Sequence, residues 1–148
     1  YVLTQDADLE YSPKQWSRLL KAASTTKSRV VYGSRRLGHQ PVRTAAIWFY
    51  LGGMFINYLT NWLYQAHLTD VPTGYKLFER KLLQSIPITR DRFEFCPEVT
   101  ARLLKQKVAI VEVPISYQPR SVREGKKISW RDFGSAVWVL VAVKLGWI

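Results

Sequence analysis

The alternation of hydrophobic and polar positions predicts an α/β protein from the first residues. Residues 1–4 have the composition of a strand end, and the polar stretch 6–11 predicts a loop after it. Apolar residues at helical spacing predict a helix over 14–23. A short buried strand is predicted at 30–32, closed by Gly33-Ser34. Strand, loop, helix and strand in this order are typical of an α/β unit.

The stretch 44–67 contains no Asp, Glu, Lys or Arg and predicts a long helix. Its length of about 20 residues is what a membrane span requires, but its periodicity favours an amphipathic helix packed in the protein or at an interface. One face is apolar and the other more polar. The apolar face comprises Trp48, Leu51, Phe55, Leu59 and Trp62, and the polar face comprises Tyr50, Asn57, Asn61 and Tyr64.

The second half of the chain predicts two further helices, a strand and an apolar terminal segment. The helices are expected over 76–86 and 97–106, and the strand over 108–117, interrupted or ended at its proline. Residues 120–132 are dense in Arg and Lys, and residues 133–148 are almost wholly apolar.

Composition and charge narrow the function classes. The chain has 148 residues, and a hydrophobic content of 47% is enough to bury one core. A net charge of +11 predicts a polyanionic partner, which is nucleic acid, anionic lipid or a phosphorylated substrate. The chain has no helix-turn-helix, zinc-ligand or RNP-type pattern, which argues against nucleic acid. Cys96 is the single cysteine, so no internal disulfide forms.

An acidic motif follows the first predicted strand. Asp6 and Asp8 alternate in an extended loop, with Glu10 two residues further on. Alternate carboxylates at a strand end can turn toward a common point and bind Mg²⁺ or Mn²⁺, which would hold a diphosphate. The alternative is a solvated acidic turn that caps the next helix.

Several segments, in their order and spacing, resemble bacterial family 2 glycosyltransferases of the dolichyl-phosphate mannosyltransferase-like group. The resemblance covers essentially the whole chain. The segments are QDADLEY (5–11), VYGSR (31–35), TDVPTGYKLF (69–78), FEFCPE (93–98) and EVPISY (112–117), then Arg120, EGKKI (124–128) and WRD (130–132).

The resemblance implies a GT-A fold, with a Rossmann-like mixed sheet flanked by helices. Because the chain opens on Tyr1 and runs at once into the acidic motif, we expect it to be the C-terminal part of that fold, with the nucleotide pocket upstream. Residues 1–119 would belong to the catalytic domain and 120–132 would form a basic loop at the active site or membrane. Residues 133–148 would form an amphipathic apolar helix at the interface or begin a membrane anchor.

The resemblance also assigns roles to individual residues. Asp6 and Asp8 would bind the metal and the donor diphosphate, with Glu10 as an added ligand or an acceptor of hydrogen bonds. The acceptor phosphate would be bound by Arg35, Arg43 and Lys76. Asp70 and Glu98 are the candidate catalytic carboxylates, and the loop cations are Arg120, Lys126, Lys127 and Arg131. The alternatives are surface charges for the cations, a helix cap for Asp70 and a helix-dipole contact for Glu98.

The implied reaction is a metal-dependent, inverting transfer of a sugar from a UDP- or GDP-sugar to a polyprenyl phosphate, dolichyl or undecaprenyl. It would take place at the cytoplasmic face of a membrane with an anionic surface. A phosphate acceptor is already largely ionised and needs cations more than a base, and the abundance of Arg and Lys suits it. The alternatives are a hydroxyl acceptor, which needs a base, and a non-catalytic basic module that binds membranes.

Overall fold

The described part of the chain forms one mixed four-stranded sheet with helices packed on it. The structure, a computed structural model, describes residues 1–6, 10–38, 47–118 and 130–148. The described strands are β1 (Val2–Thr4), β2 (Val30–Ser34), β3 (Lys76–Phe78) and β4 (Val111–Pro114). Their order in the sheet is β1-β3-β2-β4. This arrangement confirms the predicted mixed α/β class.

The directions of the strands bring distant parts of the chain to one edge. β1 and β2 both run antiparallel to β3, and β4 runs parallel to β2. The C-terminal ends of β1, β2 and β4 therefore meet the N-terminal end of β3. We call this edge the site edge.

Five helices flank the sheet in the described part of the chain. They are α1 (Trp16–Thr26), α2 (Ile47–Tyr64), α3 (Arg80–Ser85), α4 (Phe95–Lys105) and α5 (Trp130–Leu145). A short 3₁₀ turn, Pro13–Gln15, leads into α1, which confirms the helix predicted over 14–23. α4 begins two residues earlier than predicted and retains Pro97 in its first turn.

The prediction of one helix over 76–86 is wrong in its first part. Lys76–Phe78 is strand β3, which pairs with β1 on one side and β2 on the other, and a helix begins only at Arg80. Because β3 fills the gap between two strands, the ladder on both sides outweighs the local preference for helix. The strand predicted over 108–117 is also shorter, since β4 ends at Pro114.

The predicted polar face of α2 points inward. Asn57 and Thr60 are buried, whereas Trp48 is 77% and Trp62 is 68% exposed. Asn57 and Asn61 hydrogen-bond the backbone of residues 68–71, so these polar side chains fix a turn that has no regular secondary structure of its own.

The main apolar cluster lies where α5 packs against α2 and α4. Val139, Leu140 and Val143 of α5 are buried with Ile56 of α2 and Ala101 of α4. Among the helices that the structure describes, none is both long and apolar enough to cross a bilayer.

Candidate functional site

Four chain segments place polar side chains at the site edge. Asp6 follows β1, Arg35 follows β2 and Tyr117 follows β4, and Asp70 lies in the turn that precedes β3. The convergence follows from the strand directions, because three strands end and one begins at this edge. The structure thus brings together several residues that lie far apart in sequence.

Arg35 and Asp70 form a buried ion pair at the centre of the site. Arg35 Nε donates to Asp70 Oδ2 at 2.7 Å, and Nη2 donates to Oδ1 at 2.6 Å. The backbone N–H of Arg35 also donates to Oδ2, at 2.9 Å. The carboxylate is fully buried, and the arginine side chain is 19% exposed. This is the bidentate geometry that holds a guanidinium in one orientation.

The ion pair keeps both groups charged. Burial alone would raise the pKa of Asp70 and lower that of Arg35, but their mutual attraction and hydrogen bonds outweigh it. The pKa of the Asp70 carboxyl therefore lies below its usual value, and the pKa of Arg35 lies well above its own. Asp70 is consequently a weak base, and Arg35 is a permanent positive charge.

A second carboxylate, Glu112 on β4, fixes the turn that carries Asp70. It accepts hydrogen bonds from the backbone N–H groups of Thr69, at 2.8 Å, and Asp70, at 3.0 Å. The Thr69 hydroxyl donates to it at 2.9 Å. Sequence analysis included Glu112 in the segment EVPISY but assigned it no role, and the other signal is a carboxylate between two apolar residues of a strand.

Asp6 lies against the turn that leads into β3. A β-carbon on Gly74 would collide with the Asp6 carboxylate and would lie 3.2 Å from the Tyr11 ring. A larger residue here would therefore displace the Asp6 carboxylate, and Asp6 and the 73–75 turn form one surface. Asp8, the other half of the predicted motif, lies outside the described residues.

Of the two predicted metal ligands, Asp6 lies among the described residues and Asp8 does not. The Asp6 carboxylate is exposed at the site edge and is a hard oxygen ligand of the kind that Mg²⁺ and Mn²⁺ bind. Within residues 1–6, 10–38, 47–118 and 130–148, no cluster of three or more His, Cys, Asp or Glu side chains is suited to a metal. Asp6 fits the metal, and the complete site stays a prediction.

Glu10 and three tyrosines form a packed layer beside the ion pair. The Tyr117 hydroxyl donates to Glu10 Oε2 at 2.7 Å, and the Arg35 guanidinium lies 5.0 Å from the centre of the Tyr117 ring. Tyr11 stacks on Tyr75 at 4.7 Å and contacts Tyr117 at 5.2 Å. Burial raises the pKa of Tyr11 to about 12, so its hydroxyl stays neutral. Glu10 therefore orients Tyr117 under Arg35.

Lys76 lies in the interior and not at an external phosphate site. Its fully buried amine donates to the carbonyl oxygens of Val71, at 2.9 Å, and Thr73. The amine also lies 4.4 Å from the centre of the Tyr32 ring, and burial lowers its pKa. Through these contacts Lys76 stabilises the 71–73 turn from the interior. The sequence instead predicted that Lys76 contacts the acceptor phosphate.

Glu98 is likewise occupied by structural contacts. Its buried carboxylate accepts from Arg102 at 2.7 Å and from the backbone N–H groups of Thr89 and Arg90. Burial would raise the pKa of Glu98, but Arg102 and these donors hold it below its usual value. The contacts favour support of α4 over a role as a base.

The basic loop falls mostly beyond the described part of the chain. Arg43, Arg120, Lys126 and Lys127 lie outside the described residues. Arg131 is exposed in the first turn of α5, with its guanidinium 5.6 Å from the Trp130 ring.

Comparison with known proteins identifies relatives that act on polyprenyl phosphates. The chain is 30% identical to the undecaprenyl-phosphate mannosyltransferase of Micrococcus luteus, over 84% of this chain and 52% of that protein. It is 26% identical to the polyprenol monophosphomannose synthase of Mycolicibacterium smegmatis, over 93% of this chain and 54% of that protein. It is 25% identical to the UDP-N-acetylglucosamine–dolichyl-phosphate N-acetylglucosaminyltransferase of Methanococcus voltae, over 85% of this chain and 52% of that protein.

These relatives confirm the resemblance that the sequence segments predicted. The chain spans about half the length of these three proteins. No family model and no solved structure matches it significantly.

Proposed function

We propose that this chain, as a relative of the dolichyl-phosphate mannosyltransferase-like glycosyltransferases, forms part of a GT-A enzyme that transfers a sugar from a UDP- or GDP-sugar to a polyprenyl phosphate. The observation that carries the proposal is the buried Arg35–Asp70 pair at the same edge of the sheet as Asp6. A guanidinium held in one orientation and an exposed carboxylate at one sheet edge suit a reaction between two anions, one bound directly and the other through a metal.

The chemistry of the carboxylates favours a phosphate acceptor over a hydroxyl acceptor. A hydroxyl must lose a proton during attack, which requires a base with a free carboxylate oxygen and a suitable pKa. Asp70 and Glu98 both have lowered pKa values and accept hydrogen bonds at both of their oxygens. A phosphate oxygen is already ionised at neutral pH and attacks the anomeric carbon without such a base.

In the proposed reaction the phosphate oxygen forms a bond to the anomeric carbon as the bond to the nucleotide diphosphate breaks. Attack from the opposite face inverts the configuration, as the resemblance implies. Arg35 retains one guanidinium nitrogen, Nη1, that donates no hydrogen bond among the described residues and is available to the acceptor. Mg²⁺ or Mn²⁺ bound by Asp6 and Asp8 would neutralise the charge on the leaving diphosphate.

The exposed side of α2 supports action at a membrane surface, and we propose the cytoplasmic face as its location. Its exposed large side chains form one continuous apolar side, which we call the α2 outer face, and they are Trp48, Leu51, Met54, Phe55, Tyr58 and Trp62. Trp and Tyr favour the headgroup region, and the net charge of +11 is attracted to anionic lipid. The same observations favour a second candidate function, a non-catalytic module that binds membranes.

Metal-dependent transfer in the intact protein separates the two candidates. We expect Asp6→Asn to lower sugar transfer to polyprenyl phosphate at least a hundredfold, because the metal loses a charged ligand, and Asp8→Asn to do the same. The matched control is Asp91→Asn, which removes an exposed carboxylate in the 86–94 connection and should leave transfer unchanged. Transfer that is equal in all three variants would overturn the metal assignment. Lipid binding without any transfer by the wild type would favour the membrane module.

A further inference from the structure

Arg36, the residue after the buried ion pair, has a different environment from Arg35. Its side chain is half-buried against α2, with the guanidinium carbon 5.0 Å from the centre of the Tyr50 ring. A β-carbon on Gly53 would lie 3.1 Å from Arg36 Nη2, so the glycine leaves room for the guanidinium. A ring on one side and a bare backbone on the other hold the cation in place.

The guanidinium of Arg36 is not neutralised by a direct partner. Among the described residues, its side-chain nitrogens donate no hydrogen bond and form no ion pair, whereas its backbone N–H donates to Ser34 Oγ at 3.1 Å. Asp70 attracts it electrostatically, but both oxygens of Asp70 are already bound by Arg35. A partly desolvated arginine with all five N–H donors available is a favourable site for a phosphate.

Arg36 also lies where the polar site meets an apolar surface. Tyr50 and Gly53, which contact it, are one turn apart on α2. Tyr50 lies at the border between the buried side of α2 and the α2 outer face, because Met54, one turn further, is 43% exposed and Asn57 is buried. An anion bound by Arg36 could therefore extend an attached hydrocarbon chain along the α2 outer face.

We propose that Arg36 binds the phosphate of the polyprenyl phosphate acceptor and orients its prenyl chain along the α2 outer face. This inference rests on the proposed function and names a residue of its acceptor site. Arg35 contributes one nitrogen, Nη1, that donates no hydrogen bond among the described residues, whereas Arg36 contributes a complete guanidinium. The two neighbouring arginines would then have different roles. Arg35 stabilises the site through its ion pair with Asp70, and Arg36 binds the phosphate of the lipid.

The test measures binding of farnesyl phosphate, a short polyprenyl phosphate, by the intact protein and by Arg36→Gln. We expect the variant to bind at least tenfold more weakly, because it loses a charge-assisted bidentate contact. The matched control is Arg80→Gln, which removes an exposed arginine at the start of α3, at the opposite end of β3, and should bind like the wild type. Arg36→Lys keeps the charge but cannot make a bidentate contact, so its affinity should lie between those of the wild type and Arg36→Gln.

Three further probes assign the contact to the phosphate of the lipid. Farnesol, which lacks the phosphate, should bind wild type and Arg36→Gln equally, and inorganic phosphate should compete more weakly with farnesyl phosphate in the variant than in the wild type. Binding of the nucleotide sugar should be unchanged by Arg36→Gln. An equal loss of nucleotide-sugar binding would place Arg36 at the donor and overturn the proposal.

The remaining outcomes distinguish this proposal from the proposed function. If Arg36→Gln binds farnesyl phosphate as tightly as wild type while wild-type transfer is intact, only the role of Arg36 is overturned. If the wild type itself binds no farnesyl phosphate and transfers no sugar, both proposals are overturned. Thermal unfolding verifies that each variant is folded, and Arg36→Lys provides the comparison if Arg36→Gln is not.

Discussion

The Arg35–Asp70 pair connects stability to function at the level of single residues. Burying a carboxylate is unfavourable unless it is paired and hydrogen-bonded, and Asp70 has both a guanidinium and a backbone donor. Three hydrogen bonds from one residue leave Arg35 little freedom. The pair thus stabilises the turn and fixes the orientation of the arginine.

Asp70→Asn should lower both stability and activity. The asparagine amide has only one oxygen, so it cannot accept both hydrogen bonds from the Arg35 guanidinium. Because Arg35 is then left as a buried charge without a counter-ion, we expect a loss of about 3 kcal/mol in the free energy of unfolding. Chemical denaturation measures this loss. The control is Glu79→Gln, which breaks the exposed Arg29–Glu79 pair and should change the free energy by less than about 1 kcal/mol. Equal losses in the two variants would contradict the central role of the buried pair.

The lowered pKa of Asp70 predicts a dependence of stability on pH. A carboxyl whose pKa is lower in the folded than in the unfolded state stabilises the fold above its unfolded pKa, about 4, and this stabilisation is lost as the pH falls through the folded pKa. Denaturation at a series of pH values from 7 to 3 should therefore show a smaller decline in Asp70→Asn than in wild type. Asp91→Asn should decline like wild type, and identical curves for all three proteins would refute the assignment.

Sequence analysis identified Arg35 and Asp70 separately, through resemblance, but not as partners. Their pairing depends on β2 and β3 lying side by side, and 35 positions separate the two residues. Glu112 and Arg36 were missed for a similar reason. A carboxylate in an apolar strand and the second of two arginines have no distinguishing pattern until the fold shows what surrounds them.

At the level of secondary structure, the 69–75 turn is the element that organises the site. Glu112 of β4 and Asn57 of α2 bind its backbone, and Asn61 binds the preceding residue, Leu68. Lys76 supports the turn from the interior. Gly74 allows the Asp6 carboxylate to lie against it. Sequence analysis included this segment in the resemblance, but the support from Asn57 and Asn61 required knowing which side of α2 is buried.

Gly74→Ala should damage the site without unfolding the protein. The added methyl group collides with the Asp6 carboxylate, which must move, and displacement of a metal ligand by about 1 Å can lower kcat about a hundredfold. The control is Gly134→Ala in α5, where nothing lies within 4 Å of the added carbon. That variant should retain full activity and unfold at an equal or higher temperature, since alanine favours a helix. Full activity in Gly74→Ala would contradict the close approach of Asp6.

The first part of the helix predicted over 76–86, which is a strand, shows the limit of local patterns. Lys76, Leu77 and Phe78 are compatible with either a helix or a strand, and three residues are too few to decide between the two periods. Only pairing with β1 and β2, which lie more than 40 positions earlier in the chain, makes them a strand. Longer, strongly patterned segments such as α1 and α2 were predicted correctly.

At the level of the whole molecule, the α2 outer face should determine membrane binding. We expect the double variant Trp48→Ala/Trp62→Ala to float with anionic vesicles at least tenfold less, because two exposed indoles no longer enter the headgroup region. The control is Leu20→Ala on α1, a residue that is 49% exposed and lies far from α2 in sequence. Equal flotation of both variants would assign membrane binding to another surface.

The net charge and the resemblance predicted a phosphorylated partner from the sequence alone. The positions of the residues that would bind it became clear only from the fold. A charge of +11 predicts a polyanion without saying where it binds. The structure places Arg35 and Arg36 at one edge of the sheet, and Arg36 contacts α2 beside the α2 outer face. A phosphate joined to a hydrocarbon chain matches this arrangement in both charge and polarity.

The most direct test of the central claim is the mass of the lipid formed by the intact protein from a nucleotide sugar and a polyprenyl phosphate in the presence of Mg²⁺ or Mn²⁺. Our account predicts a product heavier than the acceptor by one sugar, joined through the phosphate, and absent when the acceptor is the corresponding polyprenol. Transfer to a polyprenol or another hydroxyl acceptor, with polyprenyl phosphate left unmodified, would contradict it.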